Sequence, residues 1–150
     1  MAPLTLQTNT PNQMQKVKGK SQKNLSLEWE KAPDIERNLK QILHVLDMPH
    51  VDASRIFCYR TTGSKSRSYA RIWAFPKIFQ EALDLKPAYV IEVLSKHFDR
   101  LSDDDQKRVL IHELLHIPKN FSGALLSHNS GGKRLEAKAR KLFEEYKDRR

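Results

Sequence analysis

The five residues His112-Glu113-Leu114-Leu115-His116 constrain this chain more than any other stretch. On a helix, two histidines four apart project from one face with rings near enough to share one metal ion, and the glutamate between them turns toward the same opening. Zinc takes imidazole nitrogen readily, and in a catalytic site it keeps three protein ligands and leaves a fourth position for water. The spacing therefore predicts a zinc site held by His112 and His116. Glu113 is then placed to take a proton from water and hand it to a leaving amine. The plainer alternative is a pair of hydrogen-bonded helix histidines beside a solvated glutamate.

The flanking residues favour the metal. Leu101-Ser102-Asp103-Asp104-Asp105 reads as a helix start, with Ser102 as the cap, Asp105 three residues on as in a capping box, and three acids at the positive end of the helix dipole. Val109, Leu110, Ile111, Leu114, Leu115 and Ile117 then put apolar side chains on nearly every face, the pattern of a buried helix. Two histidines and a glutamate inside it would be costly to desolvate without a partner, and a metal ion is such a partner. Pro118 is expected to stop the helix.

A third ligand has to come from downstream. Lys119 to Ser127 is long enough to leave the helix, turn near Gly123 and return His128 beneath the metal. The metzincin spacing is absent, because Lys119 and Ser122 stand where that pattern has Gly and His. Glu136, from a following helix, is the competing ligand.

Three stretches carry a resemblance: Ser66-Arg67-Ser68-Tyr69-Ala70-Arg71-Ile72, Pro87-Ala88-Tyr89-Val90-Ile91-Glu92-Val93, and Val109 to Pro118 around the histidines. Through these, and on through Phe121-Ser122-Gly123 to His128, the chain resembles the phage-type metallopeptidases, a small zincin family. It departs from them after Gly123, with Leu126 where an arginine precedes the third histidine and Asn129-Ser130-Gly131-Gly132 where a basic, aromatic run follows it. The resemblance implies zinc on His112, His116 and His128, a peptide or protein substrate, and a strand lying along the cleft, for which Tyr89 to Leu94 is the candidate.

With 150 residues, 39% of them hydrophobic, the chain has material for one modest core. No apolar window is long enough to cross a membrane and no apolar leader opens the sequence, so a cytoplasmic location is expected. The lone Cys58 excludes an internal disulfide and fits a reducing compartment. Residues 1–24 carry four lysines and no acid, too polar to fold alone, and read as a disordered basic tail ahead of a domain spanning 25–150. The net charge of +9 leaves nucleic acid open as a partner.

The remaining elements are read from periodicity. Ile35, Leu39, Ile42, Leu43 and Leu46 follow Pro33 at helical spacing, and Trp29 ahead of them is expected to dock on the core. Arg55 to Arg60 and Tyr69 to Ala74 read as strands of a basic hairpin, with six positive charges and no acid between Asp52 and Glu81. Pro76 to Leu83 reads as a short helix burying Ile78, Phe79 and Leu83, and Tyr89 to Leu94 as a strong strand. Leu135, Ala139, Leu142 and Tyr146 mark an amphipathic closing helix after Gly131-Gly132. Arg134, Tyr146 or His97 could supply a positive or hydrogen-bonding group to a transition state.

The expectation is an α+β, minimal zincin-like domain with a twisted sheet of about three strands, a supporting helix, the histidine helix and a C-terminal helix. The expected chemistry is peptide-bond hydrolysis by zinc-activated water with Glu113 as general base. The alternative is a DNA-associated protease, or a nucleic-acid-binding protein with a structural zinc.

Overall fold

The computed structural model describes residues 26–150, apart from the side chains of 128–133. The expected tail at 1–24 lies outside the described residues. Among the described residues, four strands and five α-helices follow one another in an α+β arrangement: β1 (Glu28–Lys31), α1 (Pro33–Val45), β2 (Ile56–Thr62), β3 (Ala70–Trp73), α2 (Lys77–Leu83), β4 (Tyr89–Leu94), α3 (Ser95–Phe98), α4 (Asp103–Leu114) and α5 (His128–Arg149). The sheet has one strand more than expected, because β1 is short, polar and exposed along its length and so lacks the alternation that reveals a strand.

Pro33 opens α1 with a pre-set φ, and its stripe of Ile35, Leu39 and Ile42 is buried as the spacing predicts. On α4 the Ser102 hydroxyl accepts the Asp105 amide at 3.2 Å, and Asp103, Asp104 and Asp105 fill the first turn. The regular helix ends at Leu114, earlier than Pro118 requires. The His116 amide bonds the Glu113 carbonyl at 3.1 Å, so the second histidine sits in a tightened last turn.

The sheet order is β1-β2-β4-β3. β4 pairs in parallel with β2 and antiparallel with β3, so β2 and β3 are not the expected hairpin. Burial explains the difference. Tyr89, Ile91, Glu92, Val93 and Leu94 are all buried, and a strand covered on both faces belongs in the middle of a sheet. The basic connection 63–69 carries the chain across β4 instead of turning back on β2.

One face of the sheet presents Ile56, Cys58, Ala70, Ile91 and Val93 to α1, α4 and α5, which contribute Ile35, Leu39 and Ile42, then Leu110, Ile111 and Leu114, then Leu135, Ala139, Phe143 and Tyr146. Cys58 is packing material, and burial pushes its thiol up to about 12. Two expectations fail on the other side. Trp29 does not dock on this core but lies 60% exposed on the opposite face, its indole N–H donating to Glu92 at 3.0 Å. α2 forms, yet Ile78, Phe79 and Leu83 are 70%, 51% and 62% exposed. Trp73 pairs with Val90, so the connection from β3 to β4 that carries α2 projects beyond the sheet end, where its Gln80 side chain reaches the Ser122 carbonyl.

Candidate active site

The site is made where α4, the edge strand β3 and α5 meet. His112 and His116 lie on one side of the α4 end, ring centroids 5.2 Å apart. His116 is clamped twice: its Nδ1 lies 2.7 Å from the Leu126 carbonyl, and its own carbonyl accepts the Leu126 amide at 2.8 Å. With Nδ1–H donating to that carbonyl, the ring's lone pair is on Nε2, the atom a metal would take. Nδ1 of His112 faces the Glu136 carboxylate at 3.9 Å. His116 is therefore backed by an oxygen acceptor on its Nδ1 side, the arrangement that fixes an imidazole for metal binding, while His112 has the Glu136 carboxylate on that side at ion-pair distance, beyond hydrogen-bond reach.

The loop beyond the histidines is tied down from below. Gly123 turns at φ +91°, and a Cβ there would overlap the Phe75 carbonyl oxygen and the Gln80 amide group. Its carbonyl accepts the Phe75 amide at 2.8 Å, and its own amide donates to the Tyr89 hydroxyl at 2.9 Å. Tyr89 donates in turn to the Ala124 carbonyl at 2.8 Å, while the Gln80 side chain donates to the carbonyls of Phe75 and Ser122. The turn expected near Gly123 is present, and it returns the chain to the site within a few residues.

Glu113 is 9% exposed, and its carboxylate accepts the Ile72 amide of β3. Burial pushes this carboxyl up to about 7, and the single amide bond offsets only part of that cost. A dication beside it would draw the value down again. The cleft above it has a volume of about 540 Å³ and is lined by Tyr69, His112, Glu113, Glu136 and Arg140 among others.

β3, not β4, lies along this cleft. β4 is hydrogen-bonded on both sides and has no edge to offer, which overturns the expectation for Tyr89 to Leu94. Of the candidate electrophiles, Tyr146 is fully buried toward the start of α4, between the cations of Lys107 and Arg150. His97 stacks edge-on against Tyr69 at 6.5 Å and reaches the cleft only through it, and Arg134 does not line it. Arg140 and Tyr69 do, and neither was singled out from sequence. The signal for Arg140 was available: it follows Glu136 by four residues and so shares its helix face.

His128 opens α5, which starts earlier than the glycine pair suggests and runs through Gly131 and Gly132. Its side chain lies outside the described residues. Among the described residues, no group of three metal-binding side chains is assembled. The chemistry of the donor set nonetheless fits zinc: two neighbouring imidazoles, one oriented through Nδ1, a carboxylate between them, and a further histidine at the start of the adjoining helix.

Among family models, that of the putative phage metallopeptidases matches residues 27–147. No curated protein and no solved structure matches the chain.

Proposed function

The chain belongs to the phage metallopeptidase family, and from that premise we propose that it is a zinc-dependent peptidase working through Glu113. The observation that carries this reading is the pairing of two neighbouring histidines, one of them fixed through Nδ1, with a buried glutamate at one end of α4, open to a cleft beside a sheet edge. His112, His116 and His128 would hold the metal. His128 is favoured because the Leu126 clamp on His116 lies two residues before it. Glu136 then serves His112 as an orienting carboxylate and leaves the third ligand position to imidazole.

A zinc ion held there would polarise the substrate carbonyl and make water a better nucleophile near neutral pH. Glu113 takes the proton from the attacking water and passes it to the leaving amine. The Ile72 amide holds its carboxylate toward β3. An extended peptide adds to the open edge of β3 as a further strand, which carries its scissile bond past Glu113. Arg140, facing the same cleft, stabilises charge developing on the carbonyl oxygen.

No helix among the described residues is long and apolar enough to cross a membrane. The single buried cysteine supports action in a reducing compartment, the cytoplasm. The test is cleavage of an unfolded protein substrate by the purified chain, before and after chelation, against Glu113→Gln and His128→Ala. Cleavage that needs metal, disappears in Glu113→Gln and weakens together with zinc affinity in His128→Ala bears the proposal out. Cleavage that persists in Glu113→Gln overturns it.

A further inference from the structure

The face of the sheet turned away from the site is built for contact. Strand alternation sends Trp29 from β1, Phe57 and Tyr59 from β2, and Trp73 from β3 to the same side. Trp29, Phe57 and Trp73 remain 60%, 51% and 51% exposed. Exposed aromatic side chains on three strands of one sheet face form a patch of the kind that marks a binding surface. An apolar cleft of about 390 Å³ between Phe57, Trp73, Phe75 and Leu85 continues the platform.

Charge narrows the occupant. Glu92, the acid of β4 on this side, is 2% exposed beneath the rings and is bonded by the Trp29 and Trp73 indoles, by Thr61 and by Arg71, so its charge is spent internally. The Arg71 guanidinium also lies 5.3 Å from the Trp73 ring centroid. At the rim, Arg55 bonds the carbonyls of Lys86 and Pro87, and Asp52 lies near both Arg55 and Lys86, so two cations face one acid there and the rim stays positive. Lys31 follows Trp29 by two residues and so points the same way. The segment between Asp52 and Glu81 has no acid, and the chain carries +9. A ligand complementary to this face has flat rings to stack and regularly spaced negative charge. Single-stranded nucleic acid offers both, whereas a duplex hides its base faces in its own stack.

We propose that the outer sheet face binds single-stranded nucleic acid, with Trp29, Phe57, Tyr59 and Trp73 stacking bases and Lys31 and Arg55 meeting the phosphate backbone. The binding does not depend on the peptidase reading. It places a protease beside exposed strands, where its substrates would be proteins bound to the same nucleic acid.

The chain's two tryptophans, Trp29 and Trp73, both lie on this face, so intrinsic tryptophan emission reports it selectively. The full chain is titrated with oligothymidine of about 15 nucleotides, long enough to cover a site of this kind, at low salt. The expected result is quenched emission, an affinity that falls steeply with salt, and weaker binding of a duplex of equal length. Phe57→Ala and Tyr59→Ala, which leave the donors to Glu92 in place, are each expected to lower affinity about 5- to 100-fold, as loss of one stacked base does, with an unchanged melting temperature. Glu113→Gln is expected to bind like wild type, which separates this proposal from the peptidase reading. Three results would overturn it: no change in emission at micromolar oligonucleotide, equal binding of the duplex, or full binding by both aromatic variants. Quenching by an apolar peptide but not by the oligonucleotide would assign the face to a protein instead.

Discussion

Among the described residues two glutamates are buried, one on each side of the sheet, and they are held in opposite states. Glu113, facing the cleft from α4, has one amide donor from β3, and burial pushes it up to about 7. Glu92 lies on the far face of β4. Burial raises it too, but hydrogen bonds from Arg71, Thr61, Trp73 and Trp29 together outweigh that and hold it at about 2. The number of donors decides between them. A carboxylate surrounded by four donors is a structural anion. One supplied with a single donor keeps lone pairs and proton affinity for chemistry, which is what a general base requires.

The comparison breaks most visibly at Glu113. Glu113→Gln is expected to lower the rate of peptide cleavage by about 10²- to 10⁴-fold, the usual worth of a positioned acid–base, while its melting temperature stays at or above that of wild type. Steady-state cleavage with parallel thermal melts reads both. Glu92→Ala is expected to do the reverse, costing about 2–4 kcal/mol of stability in urea unfolding because four donors lose their acceptor. Whatever fraction of Glu92→Ala remains folded is expected to keep its turnover per folded molecule.

Gly123→Ala comes next, at about 2–3 kcal/mol, since it needs a positive φ and meets the Phe75 carbonyl. Unlike Glu92→Ala, it is also expected to weaken zinc binding, because the same loop carries the clamp on His116; competition with a chromogenic chelator measures this. The acid limb of stability provides a subtler test. Glu92 has a folded value of about 2 against an ordinary 4.5, so its contribution is fully present above about 4.5 and is lost as pH falls toward about 2. Glu92→Gln is expected to flatten the pH dependence of urea unfolding in that window. The smallest effect is expected from Trp29→Phe, about 1 kcal/mol for one of the four donors. The same variant would keep a ring on the outer face.

The sequence was most legible where a local rule decides the outcome. The Ser102 cap, the α1 stripe, the span of β4 and the turn at Gly123 each depend on residues within a few positions of one another. Pairing depends on the rest of the chain. Tyr69 to Ala74 reads as a strand from its own residues, but that it pairs with β4 and not β2 follows from β4 being buried on both faces. Trp29 and the apolar residues of α2 read as core because large aromatic and aliphatic side chains are usually buried. Trp29 is exposed because β1 turns it to the sheet face opposite the helices, and the α2 residues because that helix lies past the sheet end. At the candidate site, the grouping of His112, His116 and Glu113 was readable from spacing, whereas Tyr69 and Arg140 reach the cleft only through the packing of β3 and α5 against α4.

The central claim is that the end of α4 is a metal site. The most direct measurement is elemental analysis of zinc on the purified full chain and on His116→Ala after equilibration with limiting zinc. The account predicts about one zinc per chain in the wild type, as a single mononuclear site requires, and little in the variant. Equal zinc in the two proteins, or none in either, would contradict it.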